Sequence, residues 1–98
     1  MTYGEFFINS IKKIEGKYLK SYELNHGFPL PKYEIVKIDC LPKSYSNKIV
    51  FGNIYIHVKL EVKDGRLGRL KKFLKDLISS MINSLGYQFD EIYLDFTV

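Results

Sequence analysis

From Ile54 to Lys63 apolar and polar residues alternate without interruption, and from Leu67 to Leu85 apolar residues recur at spacings of three and four. A chain with these two stretches back to back has to place a half-buried strand directly before an amphipathic helix. Ile54, Ile56, Val58, Leu60 and Val62 form one face of the strand, and Tyr55, His57, Lys59, Glu61 and Lys63 the other. Leu67, Leu70, Phe73, Leu74, Leu77, Ile78, Met81, Ile82 and Leu85 form the helix stripe, with Gly86 suited to the C-terminal cap. Gly52-Asn53 interrupts the strand early and predicts a bulge or bend, so residues 49 to 63 make one long strand or two short ones.

Upstream, Thr2-Tyr3-Gly4-Glu5 fits a capping box and starts a first helix to about Ser21, carried by Phe7, Ile11, Ile14, Tyr18, Leu19 and Tyr22. The stretch 25 to 31 holds Gly27, Pro29 and Pro31 and reads as a loop. Tyr33 to Leu41 reads as a strand with Val36, Ile38 and Cys40 inward and Tyr33, Ile35, Lys37 and Asp39 outward, after which Pro42 starts the turn of a hairpin. A final strand turns Ile92, Leu94, Phe96 and Val98 inward and Tyr93, Asp95 and Thr97 outward.

The expected architecture is α+β, a single small domain over residues 1–98 in the order α-β-β-α-β, with a three- to four-stranded sheet. The outward strand residues are polar or amphipathic, which places the helices mainly on one sheet face and leaves the other open. Apolar runs reach only three residues, as in Phe6-Phe7-Ile8, so no membrane span or signal-peptide core is expected and the cytoplasm is the default location. The lone Cys40 cannot form an internal disulfide and reads as a small buried thiol.

Charge is uneven along the chain. The formal net charge is +4, but residues 63–75 carry +5 and residues 76–98 carry −4. Arg66, Arg69, Lys72 and Lys75 recur at threes from the start of the second helix, beside its apolar stripe. A row of cations near the positive end of a helix dipole can track phosphates, and guanidinium groups suit bidentate phosphate contact. Gly65 and Gly68 let backbone N–H groups approach an anion closely. This Gly-x-x-Gly before a basic helix resembles the loop of KH domains, and the resemblance implies a clamp on a nucleic-acid backbone.

A second constellation is Glu61-Val62-Lys63, with Asp39 on an earlier strand. E-x-K at the end of a strand, followed by helix and strand, resembles the PD-(D/E)xK nuclease superfamily. That resemblance implies Asp39 and Glu61 as ligands of a divalent metal and Lys63 as the ammonium group that positions water or phosphate. His57 stands alone on the outward strand face, and no zinc spacing or Ser/His/Asp order is present.

Tyr33, Tyr55 and Tyr93 on the open face could stack on bases, as in RRM domains, or close a homodimer; the acids around them favour the dimer. The sequence reading is therefore a homodimeric, non-enzymatic, cytoplasmic protein without a cofactor that contacts DNA or RNA through Arg66, Arg69, Lys72 and Lys75. The alternatives are a metal-dependent nuclease and a structural or adaptor protein of a virus or mobile element, since the element order suits small phage tail and neck proteins.

Overall fold

In the computed structural model, residues 1–27, 29–44, 47–61 and 67–98 are described, with Ser44 described in its backbone alone. The elements are α1 (Tyr3–His26), β1 (Tyr33–Asp39), β2 (Pro42–Ser44), β3 (Val50–Leu60), α2 (Leu67–Ser84) and β4 (Gln88–Thr97). Thr2 Oγ1 accepts from the Glu5 N–H at 3.1 Å and fixes the start of α1. The helix runs five residues beyond the expected end at Ser21, to His26, because its stop is Gly27 rather than the loop composition around it. Gly27 takes a left-handed φ of 75°, and its N–H returns to the Glu23 carbonyl. Tyr22 and His26, one turn apart, hold their rings 4.2 Å from each other in the last turn.

α2 ends in a Schellman turn. The N–H of Gly86, at φ 85°, reaches the Asn83 carbonyl, and the N–H of Tyr87 reaches that of Ile82. That turn drops Tyr87 onto an aromatic cluster of Tyr3, Phe7 and Phe51, with ring centroids 5.1–6.3 Å apart.

β3 is the central strand. β4 pairs with it in parallel along one side in unbroken register from Val50↔Gln88 to Lys59↔Thr97. β1 and β2 therefore share the other side, β1 opposite residues 55–60 and β2 opposite residues 50–51, both antiparallel. The sheet is mixed, and the order α-β-β-α-β holds once β1 and β2 are counted as one interrupted lane. A strand-helix-strand crossover through α2 joins the parallel pair, and both helices cover the same face.

The core lies in that single layer boundary: Phe7 and Ile11 from α1, seven residues of α2 from Leu70 to Ile82, and Phe51, Ile54, Ile56, Val58 and Leu60 from β3. At about 25 cal/mol per Å² of apolar surface, closing this interface is the main source of stability. The buried set changes phase between Phe51 and Ile54, so Gly52-Asn53 bends one continuous strand and does not divide it.

Two inward-outward expectations are corrected. β1 carries a bulge between Ile35 and Lys37, leaving Val36 as the extra residue and 49% exposed. An odd residue in one strand reverses every side chain beyond it, so Tyr33 and Ile35 face the helices instead of the open side. Val98, expected inward, lies beyond the ladder and is 71% exposed.

Candidate functional site

α2 gives the cations their positions. Arg69 and Lys72 lie one turn apart and open, with Asp76, onto a groove of about 590 Å³ between the two helices. α1 supplies the opposite wall through Tyr18, Ser21, Tyr22, Asn25 and His26. Phe73 forms the floor, its ring 5.4 Å from that of Tyr22. The groove thus combines a guanidinium, an ammonium, an amide, a hydroxyl and an imidazole with aromatic walls, the inventory that phosphate and base contacts draw on, together with the Asp76 carboxylate, which repels an anion.

Among the described residues Lys72 and Asp76, four positions apart on α2, make no ion pair with each other. Lys75 lies further round the helix than the groove, so the row winds instead of running straight. Arg66, Lys63 and Gly65 fall outside the described residues, and with them the Gly-x-x-Gly loop.

The molecule is electrostatically two-sided. The helix layer exposes Lys12, Lys13, Lys17 and Lys20 on α1 and Arg69, Lys71 and Lys72 on α2, against Glu5, Glu23 and Asp76. The open face carries Glu34, Asp39, Glu91 and Asp95 against Lys37 and Lys59. An approaching polyanion is drawn to the first surface and repelled by the second.

The open face also holds a group that the sequence reading treated as isolated. His57, on the central strand, is flanked from both edges: Nε2 is 2.8 Å from Asp39 Oδ2 on β1, and Nδ1 is 3.5 Å from Asp95 Oδ2 on β4. Lys37 stands 3.4 Å from the other oxygen of Asp39. The hydrogen bond with His57, more than the Lys37 charge, holds the Asp39 carboxyl below its ordinary range. Only the lane register reveals this cluster, because Asp39, His57 and Asp95 are 18 and 38 positions apart in sequence.

Beside it Tyr55 and Tyr93, direct neighbours across β3 and β4, stack at 5.4 Å and 17° with each ring 47% exposed. Tyr33 is not part of that patch. Its hydroxyl donates to Glu15 Oε2 of α1 at 3.0 Å on the opposite side of the sheet.

Asp39 and Glu61 do not converge. Asp39 is opposite Tyr55, and Glu61 lies six residues further along the same lane, about 20 Å away at strand rise. No divalent ion can be shared over that span, and Lys63 lies outside the described residues. Glu61 instead lines a groove with Glu15, Glu23 and Tyr33 at the far end of the sheet. Among the described residues no group of three His, Cys, Asp or Glu side chains is arranged to hold a metal ion.

Cys40 is half-buried against the core, and burial, aided by the adjacent Asp39 charge, pushes its thiol up to about 11. That makes it a poor nucleophile. Comparison with protein-family models, curated proteins and solved structures finds no match to this chain. The class that the fold defines is a two-layer α+β domain with its helices on one face of a mixed sheet. No helix among the described residues is long and apolar enough to cross a membrane.

Proposed function

We propose that this protein is a non-catalytic nucleic-acid-binding module that grips a phosphate backbone in the groove between α1 and α2. The observation that carries the reading is the convergence of Arg69 and Lys72 from one helix with Ser21, Asn25 and His26 from the other. Cations that merely keep a helix in water do not need polar partners opposite them. Tyr18 and Tyr22 add aromatic surface on which an unpaired base can stack, which favours a single strand over a duplex. The exposed lysines of both helices extend the electrostatic footprint beyond the groove, and the acids of the open face support assigning the ligand to the helix side.

Fluorescence anisotropy with labelled single-stranded DNA, single-stranded RNA and duplex DNA over a salt series tests it. The expected result is binding whose log affinity falls linearly with log salt, strongest for a single strand. Lys72→Glu with Lys71→Glu should flatten that slope by about 2 and leave the melting temperature near wild type. Lys59→Glu on the open face should leave binding unchanged. Absence of salt-sensitive binding, or a slope indifferent to the α2 substitutions, overturns the reading.

A further inference from the structure

The two edges of the sheet differ in kind. The β1/β2 edge carries the features that discourage pairing with another chain: a bulge at Val36, a proline at position 42, Lys32, Lys37 and Lys43, and the first turn of α1 packed against it, with Gly4 directly on the Ile38 carbonyl. The β4 edge carries none of these. It runs ten residues, Gln88–Thr97, in unbroken register on β3 and contains neither proline nor lysine nor a bulge. Among the described residues no strand lies on its outer side.

Its two side-chain rows specify what would fit there. Toward the helices Leu94 and Phe96 are only partly buried, although the corresponding β3 residues, Ile56 and Val58, are fully buried. Apolar side chains from a further strand would finish covering them. Toward the open face the edge presents Glu91, Tyr93, Asp95 and Thr97, and no residue from 76 to 98 is a lysine or arginine. Residues in directly opposed lanes sit close enough for charge to decide pairing.

We infer that the β4 edge is a docking site for an extended segment of another protein that alternates basic and apolar residues, bound by strand addition. Main-chain hydrogen bonds supply affinity, and the acidic and apolar rows supply selection. The same acids oppose a second copy of this chain. Two β4 strands laid antiparallel in the register centred on Tyr93 would bring Glu91 against Asp95 and set like charges opposite each other. The groove is lined by residues of α1 and α2 and the docking edge by residues of β4, so the two share no side chain and each can fail without the other.

The test uses the intact chain and a capped ten-residue peptide alternating lysine and valine, with a glutamate-valine peptide as control. Affinity is read by calorimetry and location by amide hydrogen exchange. The expected outcome is binding of the basic peptide alone, with slowed exchange at alternate amides within 88–97 and no change in β1. Glu91→Lys should weaken it by about tenfold while leaving the melting temperature near wild type. Protection confined to other strands, equal binding of both peptides, or indifference to Glu91→Lys overturns the proposal. Sedimentation showing a dimer with the β4 amides already protected overturns it as well, because the edge would then belong to a second copy.

Discussion

The backbone of Gly4, in the first turn of α1, lies directly against the carbonyl oxygen of Ile38 in β1. No side chain fits between helix and strand at that point, so the glycine sets how closely α1 approaches the sheet. A β-carbon at position 4 would overlap the Ile38 carbonyl, which is backbone and cannot swing aside.

Gly4→Ala should therefore destabilise the fold by about 1–3 kcal/mol, the usual cost of forcing atoms into a packed site. Gly16→Ala should do the reverse. Position 16 is in the middle of α1 with open space around it, and removing a helical glycine there gains about 0.5–1 kcal/mol. Thermal unfolding of the two variants should move in opposite directions by several degrees.

The Tyr33 phenol is driven above its ordinary value by burial first, then by the charge of Glu15 and the hydrogen bond to it. The folded chain keeps that proton while the unfolded chain gives it up near pH 10. The contribution is thus complete below about pH 10 and is lost as pH rises further. Tyr33→Phe should remove this part of the alkaline loss, so the gap in melting temperature between variant and wild type narrows from about pH 9 to about pH 11. A gap independent of pH would show that Tyr33 contributes packing alone.

Asp39 behaves in the opposite sense. Its carboxyl is held low chiefly by His57, with Lys37 assisting. Its contribution is present above the ordinary carboxylate range near pH 4 and is lost as pH falls through the lowered folded value. His57→Ala should raise the Asp39 titration toward the ordinary value, read from its carboxyl carbon chemical shift. An unmoved titration would mean that the His57 contact does not govern the carboxyl.

Cys40 should resist alkylation by iodoacetamide at about pH 8, where its raised thiol is almost wholly protonated, and should react readily once denaturant unfolds the chain. Rapid labelling of the folded protein would contradict its packing against the core.

Much of the architecture was written in local pattern. The strand over Ile54–Leu60, the stripe of α2, the Thr2 cap and the Gly86 stop all follow from residue type at short range, and each is where those rules put it. The places where local pattern misleads are those where one residue changes the phase. The bulge at Val36 turns Tyr33 toward α1, because alternation has no memory of which face it began on, and only pairing with β3 decides.

The sequence by itself determined the two helices, the three longer strands, their order and the concentration of cations on α2, because these depend on residue type at spacings of one to four; the short β2, read as a turn, exists only through its pairing with β3. Tertiary structure decided which groups meet. It separated Asp39 from Glu61, seated His57 between two aspartates, and set Arg69 and Lys72 opposite Ser21, Asn25 and His26. Contacts between residues tens of positions apart depend on lane order, strand register and helix placement, and no local periodicity encodes those three.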